Sequence, residues 1–176
     1  MASRLLIRVT AALALLAAVL LQAQTTQSAW KSYPYPADGF SISAPSQPSY
    51  TSQTQATAAG NVDLHNYIIS LGNTGAVIIS SSAEVKGLEN ASADDRLQKA
   101  KLGALKAGNA TLTAEKKITL GAYPGLQYEA TGQNLHVRAR MYIVKNRLFQ
   151  LLEISPLATP FPADAERITS SFKLLN

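Results

Sequence analysis

The chain of 176 residues contains no cysteine, which excludes disulfides, thiolate metal sites and a cysteine nucleophile together. It has two histidines, His65 and His136, and no HxH, HExxH or cysteine pair accompanies them. A metal site needs three or four converging ligands. Both histidines are therefore expected to be ordinary strand residues, and no metal or other cofactor is expected. Ser80-Ser81-Ser82 lies in no GxSxG elbow and no serine–lysine motif, so the run is read as the end of a strand. Gly121, Gly125 and Gly132 open no helix and make no phosphate loop; their spacing predicts turns between strands. Lysines and arginines interleaved with aromatics are also missing, which argues against nucleic acid.

Long apolar runs are absent but for one. Val9–Leu21 follows Arg4 and Arg8, and Leu21-Gln22-Ala23 offers a small residue for cleavage. The run is 13 residues, whereas a helix needs roughly 20 to span a bilayer. This is the layout of a secretory signal peptide. It predicts a leader over 1–23, a mature chain over 24–176, a periplasmic or secreted location, and no stable membrane span after cleavage. No cysteine follows the run for lipid attachment. Losing Arg4 and Arg8 leaves 14 basic against 11 acidic residues, so the formal charge falls from +5 to +3. That charge supports solubility and does not indicate a polyanionic partner. The remaining chain, about 150 residues, suits a single domain that can bury a core without covalent staples.

What is present is mostly strand signal. Trp30–Tyr35 and Phe40–Ala44 are short aromatic segments with Asp38-Gly39 between them as a turn. Ser46–Ala59 reads as an edge strand plus a polar loop ending at Gly60. Val62–Leu71 alternates, and Gly72-Asn73-Thr74-Gly75 links it to the β-branched run Ala76–Ser81, which predicts an antiparallel hairpin. Ala93–Ala107 has helical spacing at Leu97, Ala100, Ala104 and Leu105; Ser92 and Asp95 form a capping pair, and Gly108 suits the left-handed residue after the helix. A shorter helix is predicted over Ala163–Ser171, opened by Pro162, with Ile168 and Phe172 on one buried face.

The region Gly125–Ile154 fixes its own register. Two-residue turns at Gln133-Asn134 and Lys145-Asn146 place Arg138 between Glu129 and Glu153, Arg140 between Gln127 and Leu151, and Tyr142 opposite Phe149. The reverse side then collects Leu126, Tyr128, Leu135, Val137, Ala139, Met141, Ile143, Leu148, Leu152 and Ile154. A slip of one residue would scramble both faces. Glu129 and Glu153 are a poor glycosidase pair, because an intervening arginine favours both staying ionised. His136, Arg138, Arg140 and Tyr142 line one side of one strand, the candidate surface for a partner. Left open, it would suit a carboxylate, a sugar or an acidic protein segment. The competing expectation is that Glu129 and Glu153 neutralise Arg138 and a loop covers the rest.

Asp38-Gly39-Phe40-Ser41-Ile42-Ser43-Ala44-Pro45-x-x-Pro48 near the start and Ser170-Ser171-Phe172-Lys173-Leu174 at the end bracket nearly the whole mature chain. With Arg140-x-Tyr142 and Arg147-Leu148-Phe149-Gln150-Leu151, they resemble small exported bacterial proteins of the PsbP-like group. Its wider fold group includes the Ran-release factor of nuclear transport. The resemblance implies an α/β/α sandwich and a binding or assembly role without catalysis. It transfers no metal positions, because no matching motif is present.

Residues and resemblance together predict an α+β fold, an α/β/α sandwich around a mostly antiparallel sheet of about six to eight strands with two helices. The functional expectation is an exported, non-enzymatic binding or accessory module that meets an envelope protein or a small anionic ligand. The alternatives are a structural envelope protein and a secreted hydrolase. The hydrolase would need His65 or His136 beside a carboxylate and a nucleophile in a deep pocket.

Overall fold

Segments rich in β-branched and aromatic residues, separated by glycine, asparagine and proline, pair with their sequence neighbours because short turns close at little entropic cost. The computed structural model describes residues 29–57, 60–84 and 91–175, so the leader predicted over 1–23 lies outside the described residues. The strands are β1 (Lys31–Tyr35), β2 (Phe40–Ala44), β3 (Ser49–Thr57), β4 (Gly60–Ser70), β5 (Ala76–Ser82), β6 (Thr111–Leu120), β7 (Tyr123–Gly132), β8 (Leu135–Val144), β9 (Arg147–Pro156) and β10 (Lys173–Leu174). The helices are α1 (Ala93–Ala107) and α2 (Ala163–Ser170).

Among the described residues the strands form a seven-stranded sheet, ordered β3-β4-β5-β9-β8-β7-β6, and a three-stranded sheet, ordered β1-β2-β10. Every pairing is antiparallel. Helix α1 packs on β7 and β8, and α2 packs on β2, β5 and β9. This is the α+β sandwich the sequence predicts.

The β7–β8–β9 meander has the register read from the sequence: Arg138 opposes Glu129 and Glu153, Arg140 opposes Gln127 and Leu151, and Tyr142 opposes Phe149. Gln133 and Asn134 take φ values of 52° and 61°, as a two-residue hairpin turn with right-handed strand twist requires. The hydrocarbon side buries Leu126, Tyr128, Ala130, Ala139, Met141 and Ile143 with Leu97 of α1. On the opposite side Phe40 packs against Tyr67, Phe149 and Phe172, with ring centroids 5.2–6.0 Å apart. The opening and closing motifs thus meet: β10 pairs with β2, and Phe172 stacks on Phe40.

Three local expectations are corrected. Gly108 is right-handed, with φ −81°; Asn109, at φ 45°, takes the left-handed place after α1, which asparagine tolerates. Gly125 lies inside β7, not in a turn. A Cβ there would sit 2.5 Å from the Tyr142 ring and 2.6 Å from the Met141 carbonyl, so the glycine answers a close approach. Gly132 likewise ends β7. At α1 the serine cap forms as expected, with Ser92 Oγ accepting from the Asp95 amide at 3.1 Å.

Candidate functional site

Period-two alternation puts His136, Arg138, Arg140 and Tyr142 on one side of β8, the side facing α2. Arg138 Nε donates to Glu129 Oε1 at 2.8 Å, and its Nη1 reaches Glu153 Oε2 at 3.4 Å and Glu166 Oε2 at 3.3 Å. Arg140 Nη2 donates to both Glu166 oxygens at 2.6 Å, and Nη1 donates to Thr169 Oγ1 at 2.7 Å. Arg140 also lies 3.7 Å from Glu153, which in addition accepts from the Thr169 hydroxyl at 2.7 Å. Glu166 and Thr169 come from α2, so the helix completes the network that the strands begin.

This layer is self-neutralising. Two guanidinium groups face three carboxyl groups, and Glu153 is 0% exposed. Burial holds the Glu153 carboxyl above its ordinary value, against the Thr169 hydrogen bond and the charges of Arg140 and Arg138. Burial also pushes Glu166 up, but the Arg140 and Ser170 hydrogen bonds and the two arginine charges outweigh it, leaving that carboxyl below its ordinary value. For Arg138, burial acts downward and loses to Glu129, Glu153 and Glu166, so its guanidinium is held above its ordinary value.

The four predicted residues have two environments. His136 stacks on Phe161 with centroids 3.9 Å apart, and Arg138 lies 4.5 Å from the centroid of the same ring. The segment leading into α2 therefore covers both. The buried Nε2 of His136 has no hydrogen-bond partner. Arg140 and Tyr142 instead line an open cleft of about 300 Å³ with Gln127, Leu151, Thr169 and Phe172, rimmed by Thr119 and Leu120 of β6.

A second polar cluster was not assembled by sequence reasoning. Asp38, 3% exposed, sits in the β1–β2 turn, and its carboxylate accepts from the Tyr67 hydroxyl, from Arg147 Nη1 at 3.0 Å, and from His65 Nδ1 at 2.9 and 3.0 Å. Arg147 also donates to Ser81 Oγ at 3.2 Å. Its members come from the turn, β4, β5 and β9. The sequence signal for it is the shared face of His65 and Tyr67; Asp38 reads there as a turn residue. Because an ionised carboxylate can only accept, Nδ1 of His65 is the donor to Asp38. Neither this cluster nor any other group of described residues gathers three His, Asp or Glu side chains into a metal-binding set.

The serine run is structural. Ser80 donates to Asn66, Ser81 accepts from Arg147, and Ser82 Oγ accepts from the Leu148 amide at 2.9 Å. No helix of the described residues is long and apolar enough to cross a membrane.

No protein-family model and no curated protein matches the chain. Among solved structures, the fold is similar to the solution structure of cyanobacterial PsbP (CyanoP) from Synechocystis sp. PCC 6803. The two share 14% sequence identity, with a TM-score of 0.56 over 84% of this chain and 93% of the other. At that identity the likeness is one of fold: this chain carries a PsbP-like sandwich.

Proposed function

We propose that this chain is an exported, non-enzymatic binding or accessory module, acting in the periplasm or outside the cell on an envelope protein. The observation that carries the reading is the mutual neutralisation of its ionisable side chains. Arg138 and Arg140 are engaged by Glu129, Glu153 and Glu166, and Asp38 is engaged by Tyr67, His65 and Arg147. Three carboxyl groups around the arginines disfavour a small anionic ligand. The fold likeness supports a binding role only by analogy. Contact falls to the open part of the predicted face, the cleft beside Arg140 and Tyr142.

The test is titration of the labelled protein onto envelope fraction from its host. The expected result is saturable binding that Thr119→Arg, at the exposed rim of the cleft, weakens while the fold is retained. Uptake that rises linearly and ignores Thr119→Arg contradicts the reading. A secreted hydrolase is the second reading, favoured by the Asp38–His65 pair. Ester or peptide hydrolysis abolished by His65→Ala would establish it.

A further inference from the structure

The two outer strands of the seven-stranded sheet are defended unequally. An edge strand offers unpaired backbone groups to any other strand, and proteins blunt such edges with charges, prolines and bulges. β6 has these defences: Glu115, Lys116 and Lys117 lie at its middle, and its pairing with β7 shifts register between Leu112 and Ala114. β3 has none. It pairs with β4 without a register break from Ser49 to Thr57, and Ser49 to Gln55 are all exposed. Between Asp38 and Asp63 the chain contains no charged residue, and the strand itself contains no proline.

We propose that β3 is a self-association edge, pairing antiparallel with β3 of a second copy about a two-fold axis near Gln53. Electrostatics favours a second copy on β3. In a two-fold strand pair the residue on the axis faces its own counterpart, so a charge there meets its like. An axis through Glu115, Lys116 or Lys117 of β6 therefore sets like charges together, whereas β3 opposes only neutral groups. Centred on Gln53, the pairing sets Ser52 against Thr54 and Thr51 against Gln55. These are hydroxyl and amide pairs that hydrogen-bond across strands. The result is one continuous sheet of two seven-stranded halves. Because main-chain bonds and small polar side chains make up the contact, the association is weak and reversible. This inference stands apart from the envelope-binding role, which uses the Arg140 cleft.

The experiment is sedimentation equilibrium of the protein recovered from cells expressing the whole chain, from micromolar to millimolar concentration, with amide hydrogen exchange at both extremes. The expected result is a mass rising toward twice the monomer, with protection gained at Ser49–Thr57. Replacing Thr51 and Gln53 by lysine should weaken association by about tenfold or more, since like charges then oppose each other. Thr113→Lys on β6 should leave it unchanged. Circular dichroism checks folding of the variants; if the lysine variant does not fold, the exchange pattern of the unsubstituted chain decides. A monomer at every concentration, association indifferent to the β3 lysines, or protection confined to another segment would each overturn the proposal.

Discussion

Strands β7, β8 and β9 present two faces built from the same thirty residues of chain, and the faces solve burial differently. Under α1 the layer is mostly hydrocarbon: Leu97 inserts among Leu126, Ala139, Met141 and Ile143, a single buried lysine, Lys101, reaches out to Glu115, and Lys117 meets Asp94 at the exposed rim. Under α2 the same strands bury an ion network, with Glu153 inaccessible and Arg140 side chain 13% exposed. The first arrangement is insensitive to its partner's detail, because apolar contact is non-directional. The second tolerates no vacancy, because a buried charge without its partner is costly.

The largest effect should come from breaking the ionic layer. Arg140→Ala removes the main partner of Glu166 and one partner of buried Glu153, and is expected to destabilise the fold by about 3–5 kcal/mol, read from urea unfolding. A loss near zero would mean the layer is hydrated, and the contrast between faces would vanish. The matching cut on the other face, Leu97→Ala, should cost about 2–4 kcal/mol through lost burial and a cavity. It should also leave the pH dependence of stability unaltered, since no charge on that face of the core changes.

The pH dependence separates the two carboxyl groups. The folded-state value of Glu153 lies above its ordinary 4.5, so its stabilising contribution is complete below 4.5 and is lost as pH rises through the folded value. Glu166 lies below 4.5, so its contribution is complete above 4.5 and is lost as pH falls through the folded value. Glu153→Gln should therefore gain stability relative to the unsubstituted chain as pH rises past 4.5. The deficit of Glu166→Gln should be greatest at neutral pH and shrink in acid. Unfolding measured across this range checks both signs, and parallel behaviour of the two variants would contradict the assignment. The smallest effect belongs to the rim: Lys117→Ala should change stability by less than about 0.5 kcal/mol, because the Lys117–Asp94 pair is largely exposed.

The meander was legible because one register satisfies several constraints at once. Turn residues suited to positive φ, an arginine flanked by glutamates and a reverse side that is apolar but for Gln150 all agree. The helix capped by Ser92 was legible from local hydrogen bonding, which needs no tertiary information. β6 was harder to read, since the alternation of Leu112, Ala114, Ile118 and Leu120 is interrupted by Lys116 and the strand is a mostly exposed edge. Glu166 could not be placed opposite Arg140 from sequence, because that contact depends on how α2 docks. The Asp38 cluster was hidden for the same reason: Asp38 and Arg147 are 109 residues apart and meet only once the β1–β2 turn lies on the sheet. Local order was written in spacing, and the polar clusters were written in packing.

Helix α2 closes the arginine face into a buried, self-neutralised layer, and carbon-detected NMR titration of the Glu153 and Glu166 side-chain carboxyl groups can read that closure. Glu153 is expected to titrate above 4.5 and Glu166 below it. Two carboxyl groups titrating together at the ordinary value would instead show a solvated, open face with no closed layer beneath α2.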